Sequence, residues 1–279
     1  MYDIFTVLNQ DYYTFGEFFV KSLERQADKD LRTVHIVDTG LEDNSKDYLS
    51  QFANINWIIP EERYKGPAND HYHSQQWHWN IDCKTENLLK LVSSSDVPVM
   101  MVDSDCAFVR NPSELISDSD VDIEVCEREH PVRFLASFFV AHPTPSATNF
   151  IEHWIRLMRT VGYIKVNELG LPSAVDTGFY KQRESPCLTS LVGGYDYIDN
   201  INHKLIRDNA YTDDFVEEFG NRDFLMNNLN IAIHKDNVVS ASTSDFGNDE
   251  CAIIHFKSRT SRDTIEDRLD GLTLEGILK

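Results

Sequence analysis

"VPVMMVDSDCAFVRNP", residues 97 to 112, decides how this chain reads. A nearly continuous apolar run from Val97 to Val102 stops at Asp103 and Asp105, with Ser104 between them. Apolar residues without polar alternation mark a strand covered on both faces, as in a parallel sheet flanked by helices. Such a strand ends where the backbone meets water, and this one ends by presenting two carboxylates together. If the backbone turns there, side chains at i and i+2 can both reach one hard divalent cation, leaving positions on it for phosphate oxygens and water. An ion so held neutralises charge on a departing phosphate, so a sugar-to-diphosphate bond breaks without protonation of the leaving group. A second Asp-Ser-Asp at 118 to 120 has no apolar strand before it and reads as a solvated loop.

Toward the N-terminus, strand and helix signals alternate. "DIFTVL" (3–8) is β-rich, and "DYYTFGEFFVKSLERQ" (11–26) sets Phe15, Phe18, Phe19, Ser22 and Leu23 along one helical side. The strand "TVHIVD" (33–38), the turn "TGLEDNS" (39–45), the helical "KDYLSQF" (46–52) and the strand "INWIIP" (55–60) follow. This β-α-β-α-β order implies parallel strands, right-handed crossovers and a ligand crevice at the strands' carboxyl ends. Residues 61 to 80, polar and aromatic with Gly66 and Pro67, read as a loop over that crevice. "DCKTENLLKLV" (82–92) reads as a helix that leads into the apolar strand.

Past the aspartates come a short turn, "NPSELI" (111–116), and two strands, "VDIEVC" (121–126) and "RFLASFFVAHP" (133–143). "SATNFIEHWIRLMRTV" (146–161) is an amphipathic helix opening on a Ser or Thr cap. Between 163 and 250 the pattern weakens, with strand candidates at "YDYI" (195–198) and "IAIHK" (231–235). The last strand, "CAIIHF" (251–256), ends on His255 with Lys257, Arg259 and Arg262 behind it. A neutral imidazole there could complete a metal shell while the cations hold a diphosphate, or it could be a hydrogen-bonded structural residue. With no Pro/Ser linker and no repeat, the 279 residues are expected to form one domain.

Charge narrows the partners. The 46 acidic against 26 basic residues leave a formal charge of −20, which repels nucleic-acid backbones and anionic lipid. Neither nucleic acid nor membrane insertion is expected, and no apolar run reaches the length of about 20 residues that spans a bilayer. An anionic substrate then calls for a locally positive site, which a bound divalent cation supplies. The opening "MYDIFTVL" lacks the basic and long apolar regions of a secretory signal, so the expected location is cytoplasmic. Five widely spaced cysteines without a C-x-x-C argue against a disulfide framework or a zinc knuckle.

Several residues have plainer readings beside the functional ones. Asp11 could cap the helix that follows it. Asp38, before Thr39 and Gly40, reads as a turn aspartate rather than a ribose ligand. His71, His73 and His78 in "HYHSQQWHWN" fit no familiar ligand spacing, and aromatics there suit sugar stacking or a lid. Phe138, Phe139 and Trp154 read as core. Asp176, taken alone, reads as a turn residue.

Taken together, these pieces resemble the nucleotide-sugar-dependent glycosyltransferases of the GT-A fold, most of all the glycogenin-like, galactosyltransferase-like group known as family 8. "VLNQDYYTFGEFFVKSL" (7–23) is similar to that family's opening strand, Asp-x-Tyr turn and small-residue helix, and "VMMVDSDCAFVRNPSELI" (99–116) to its D-x-D strand and following turn. "DTGFY" (176–180) resembles its D-Q-G element and "IIHFKSRTSRD" (253–263) its terminal His-Phe-x-Gly-x-x-Lys-Pro-Trp. The resemblance implies a mixed central sheet flanked by helices, with a nucleotide-binding half at about 1–125 and an acceptor half at about 126–279. It implies transfer of a hexosyl group from a UDP-sugar to a carbohydrate or other hydroxyl acceptor, with Mn2+ or Mg2+ held by Asp103, Asp105 and His255, and with retention, or with inversion if a carboxylate acts as general base.

Carried over residue by residue, Asp11 and Tyr12 approach the uracil, while Lys84 and Ser104 face the donor. Asp176 is the catalytic carboxylate on the sugar and acceptor side. The family's diphosphate lysine falls on Ser261 and its glycine on Ser258, so Lys257, Arg259 or Arg262 must supply that charge, Lys257 first because it is nearest His255. The Asn-Ser-Gly before the acceptor strand appears as Leu135-Ala136-Ser137, and the Gln of D-Q-G as Thr177. Two other readings stand beside this one. A haloacid-dehalogenase-like phosphohydrolase also carries a strand ending in D-x-D, but expects Thr or Val where Ala107 stands and places the motif first in its fold. A nucleotide-sugar-binding protein without turnover is the other.

Overall fold

The structure, a computed structural model, describes residues 1–62, 64–65, 75–117, 120–127, 134–162, 184–193, 226–235, 238–240 and 250–256, with 273 and 276. Its strands are β1 (Tyr2–Leu8), β2 (Leu31–Asp38), β3 (Ile55–Ile58), β4 (Val99–Val102), β5 (Cys106–Phe108), β6 (Ile123–Glu127), β7 (Phe134–Ala141), β8 (Ile231–His234), β9 (Val239–Ser240) and β10 (Ile253–His255). The helices are α1 (Tyr13–Gln26), α2 (Asp43–Leu49), α3 (Gln75–Ser94), α4 (Pro145–Gly162) and α5 (Glu184–Gly193). Seven strands form one sheet in the order β3-β2-β1-β4-β7-β6-β8, and β5-β10-β9 form a second. The first four strands of the large sheet run parallel, whereas β7 is antiparallel to both β4 and β6.

Period-2 alternation along buried strands builds the layers. On β4, Val99 and Met101 join Phe5 of β1 and Phe139 of β7 in one core, which α3, α4 and α5 cover. Met100 and Val102 point the other way, with Ile4, Leu8, Phe138 and Val140, into a core closed by α1, α2 and the small sheet. All four β4 residues are fully buried, which is why this strand carries no polar alternation. On α1, the expected Phe15, Phe18, Phe19, Ser22 and Leu23 are all buried. Gly16 is where α1 comes closest to β1, since a methyl group there would meet a Leu8 methyl at 2.5 Å.

β1 has β2 on one side and β4 on the other. The connections from β1 and from β4 therefore run to opposite sides of the sheet, toward β2 and toward β7, and a crevice opens at this switch point beyond the carboxyl ends of β1 and β4. This is the position that the β-α-β-α-β reading assigns to a ligand.

Three local readings change. α3 begins at Gln75, inside the stretch read as a loop. Trp77, Ile81, Lys84 and Leu88 recur at helical spacing, and Trp77 and Trp79 pack against the same core as Ile81 and Leu88. Asn9 caps the 3-10 turn Gln10–Tyr12 that leads into α1, its side chain accepting from the Tyr12 amide at 3.1 Å, and the N-cap position of α1 itself is Tyr12, so Asp11 is not the capping residue. α4 is capped by Thr144, whose hydroxyl accepts from the Ala147 amide at 3.1 Å, with Pro145 at the first helical position. The candidate strand at 195–198 lies outside the described residues.

Candidate active site

β4 delivers Asp103 to the crevice, and the chain turns through Ser104 and Asp105 before entering β5. The turn is what lets both carboxylates face the same space. β10 then pairs antiparallel with β5, placing His255 opposite Cys106, and the Phe256 amide donates to the Asp105 carbonyl at 2.8 Å. The C-terminal strand is thus hydrogen-bonded to the D-x-D turn itself. His255 Nε2 lies 3.3 Å from Asp105 Oδ1 and 4.0 Å from Asp103 Oδ2. Behind it, Phe256 stacks on Phe15 and meets Phe18 edge-on, anchoring β10 to α1.

Lys84 enters from α3. Its ammonium stands 2.6 Å from Asp103 Oδ1 and 2.6 Å from Glu184 Oε1. Burial alone would push this lysine down, but the Asp103 and Glu184 charges outweigh it and hold the ammonium above its ordinary range. Glu184 is pushed up to about 7, first by burial and then by the Asp103 charge, against the pull of Lys84. α5 fixes Glu184 in place: the Trp154 indole donates to the Glu184 carbonyl at 3.1 Å, and the Ala136 amide of β7 donates to the Ser185 hydroxyl at 3.0 Å.

A cleft of about 130 Å3 runs along these groups, lined by residues that include Thr6, Asn9, Tyr12, Trp77, Lys84 and Glu184 besides Asp103, Ser104 and Asp105. The structure therefore brings Tyr12, Lys84, Ser104, Asp103, Asp105 and His255 to one place. Asp11 is exposed and outside that lining. Asp176, Lys257 and Arg259 lie outside the described residues, as do His71 and His73. Asp38 is a turn residue, its Oδ1 accepting from the Gly40 and Leu41 amides at 2.9 and 2.7 Å while Lys46 pairs with Oδ2 at 3.0 Å.

Two members of the site were absent from the sequence reading. Glu184 follows a stretch without periodicity, and its only signal is an acidic residue opening the apolar helix "ESPCLTSLVG". Cys106 adds a thiol to the group, since ligand atoms of Asp105, Cys106 and His255 all lie within 4.8 Å of one another.

The donor set fits a divalent cation. Ligand atoms held at about 2.1 Å from one ion stand about 3 Å apart when adjacent and about 4 Å apart when opposed. The His255 to Asp105 and Asp103 separations, 3.3 and 4.0 Å, fall in that range without rearrangement of the strands. His255 is 6% exposed and, among the described residues, its buried Nδ1 has no hydrogen-bond partner, so they leave the ring coordinating capacity to spare. Among the described residues that line the cleft, the carboxyl groups of Asp103, Asp105 and Glu184 face the ammonium of Lys84, an acidic surplus that a cation offsets.

The mixed seven-stranded sheet flanked by helices has the GT-A glycosyltransferase fold. Among solved structures, the chain is similar to the glycosyltransferase GlyE of Streptococcus pneumoniae TIGR4, with a TM-score of 0.53 at 12% identity over 100% of this chain. It spans 63% of the length of that protein. It is also similar to the galactosyltransferase LgtC, solved with donor and acceptor sugar analogues, with a TM-score of 0.47 at 15% identity, covering 75% of this chain and 83% of that one. No protein-family model and no curated protein matches the sequence. Among the described residues, no helix is long and apolar enough to cross a membrane.

Proposed function

We propose that the chain is a metal-dependent glycosyltransferase that moves a hexosyl group from a UDP-sugar to an acceptor hydroxyl, with retention at the anomeric carbon. The observation that carries this reading is the meeting of Asp103, Asp105 and His255 at the switch point, brought about by the pairing of β5 with β10. The chain works as one domain, in which about 1–125 handles the nucleotide and about 126–279 the acceptor.

Asn9, Tyr12 and Thr6, at the β1 end of the cleft, receive the nucleotide. Asp103, Asp105 and His255 hold Mn2+ or Mg2+, which when bound offsets the charge of the leaving diphosphate. Lys84 keeps its proton between Asp103 and Glu184, so a fixed positive charge stands beside the phosphates throughout the reaction. Lys257 and Arg259, directly after His255, add to that charge in place of the family lysine that is Ser261 here. As the acceptor oxygen bonds to the anomeric carbon, the bond from that carbon to the diphosphate oxygen breaks with its electron pair. The departing diphosphate takes the acceptor proton on the same face, which retains configuration, and Asp176 holds the acceptor side.

The phosphohydrolase reading is not favoured. In that class the D-x-D belongs to the first strand, whereas here it follows the fourth strand, one neighbour of which is the antiparallel β7. A thermal-shift panel of UDP, GDP and UDP-hexoses with and without Mn2+ tests the proposal, because a ligand that binds only the folded state raises its stability. UDP and a UDP-hexose should shift melting only with Mn2+, and the UDP-hexose should be consumed when acceptors are supplied. Binding without consumption would make the chain a silent nucleotide-sugar binder. Phosphate release from small phosphoesters without nucleotide would overturn the proposal.

A further inference from the structure

Asp103 flanks the Asp105 and His255 pair with a hard oxygen donor, and Cys106 flanks the same pair with a soft one. Cys106 and His255 are directly opposed in the antiparallel pairing of β5 and β10, so their side chains leave the small sheet on the same face. Together with the Asp105 carboxylate they offer three ligand atoms within 4.8 Å of one another. Donor atoms around a tetrahedral zinc ion stand about 3.5 Å apart, so side-chain rotation of about an ångström closes the group. Among the described residues, the buried Nδ1 of His255 has no hydrogen-bond partner, so they do not saturate the imidazole. Asp105 lines the open cleft and gives an ion a route to the two buried donors.

We propose that Asp105, Cys106 and His255 form a binding site for a thiophilic divalent ion of the Zn2+ class, which excludes the hard ion of the transfer reaction because the two share Asp105 and His255. Thiolate ligands favour zinc strongly over manganese or magnesium, whereas a carboxylate in the same position narrows that preference. Lys84 strengthens the contrast, since its ammonium, 2.6 Å from Asp103 Oδ1, already offsets that carboxylate's charge and makes it a weaker donor to a hard cation. On binding, the Cys106 thiol gives its proton to solvent as the sulfur-to-metal bond forms, and no electron is transferred. The inference rests on the proposed function only for its consequence, inhibition by Zn2+. The site itself stands on the geometry.

The test is titration of the full chain with Co2+ alone, followed by competition of Zn2+ against Mn2+. Co2+ should give a near-ultraviolet thiolate-to-metal band that disappears in Cys106→Ser. The ratio of Zn2+ to Mn2+ affinity should fall at least about tenfold in Cys106→Ala, since even changes outside the ligand shell cost about that much. Melting curves establish that each variant is folded, and either variant alone decides the result. Co2+ bound without a thiolate band, or an unchanged affinity ratio in a folded variant, overturns the inference. Mn2+-dependent UDP binding together with no thiolate band defeats this inference alone. A thiolate band in a chain that never binds UDP defeats the glycosyltransferase proposal alone.

Discussion

His255 and Asp105 are 150 residues apart in sequence (255 − 105), yet His255 Nε2 lies 3.3 Å from Asp105 Oδ1 because β10 lies against β5 in a fixed register. A shift of that register by one residue would turn the imidazole to the opposite face of the small sheet. The metal-binding capacity of the site therefore depends on how firmly β10 is held.

Phe256 does much of that holding through its contacts with Phe15 and Phe18. Phe256→Ala should cost about 3–5 kcal/mol of stability. It should also weaken Mn2+ binding more than a core truncation away from β10, such as Leu88→Ala, when both variants are measured by chemical denaturation and by calorimetry.

Lys84, whose side chain is 7% exposed, is the counter-ion of two partly buried carboxylates, Asp103 (28%) and Glu184 (12%). Lys84→Met should therefore destabilise the fold by about 3–5 kcal/mol, the usual result of stranding a buried charge. Adding Glu184→Gln to that variant should restore part of the loss. A double-mutant cycle in urea reads the coupling, and strict additivity would show that the two groups do not interact.

Away from the cleft, the buried carboxylate of Glu124 contributes to stability in acid. Glu124 on β6 is fully buried, with His142 Nε2 2.7 Å from Oε1, His234 Nε2 2.9 Å from Oε2, and the Ser117 amide and hydroxyl donating at 2.9 and 2.8 Å. Burial pushes this carboxyl up, but the hydrogen bonds from His142, His234 and Ser117 prevail and hold it at about 2, below the ordinary 4.5. Because the folded value is depressed, the stabilisation of about 3 kcal/mol is complete above the ordinary value and is lost as pH falls toward 2. Urea denaturation at stepped pH should show a steeper acid loss in the native chain than in Glu124→Gln. Identical slopes would contradict this.

Trp154 couples α4 to the first residue of α5 through its hydrogen bond to the Glu184 carbonyl. Trp154→Phe should cost about 1–3 kcal/mol for the stranded carbonyl. Because Glu184 then loses a fixed position, the coupling between Lys84 and Glu184 should shrink when the cycle is repeated in this background.

Much of this was readable from the chain itself, for identifiable reasons. Val99 to Val102 could only be a strand buried on both faces, and Phe15, Phe18 and Leu23 could only line one side of a helix. Their spacing fixed the parallel half of the sheet, and with it the crevice beside Asp103. Long-range partners left no such mark. Nothing local ties Glu184 to Lys84, because the pairing depends on α5 docking against β7. Glu124 did leave a signal, a charged residue inside an otherwise apolar strand, which requires buried partners wherever it occurs. The start of α3 was obscured by aromatic and polar residues that suit either a loop or a helix until a core for Trp77 is known.

The most direct test of the account is anomalous diffraction at the manganese edge from crystals of the full chain grown with Mn2+ and UDP. The account predicts one ion bonded to Asp103, Asp105 and His255 and touching the UDP diphosphate, and no ion in crystals of Asp105→Ala. An ion bound elsewhere, or a UDP diphosphate lying away from the 103/105 turn, would contradict it.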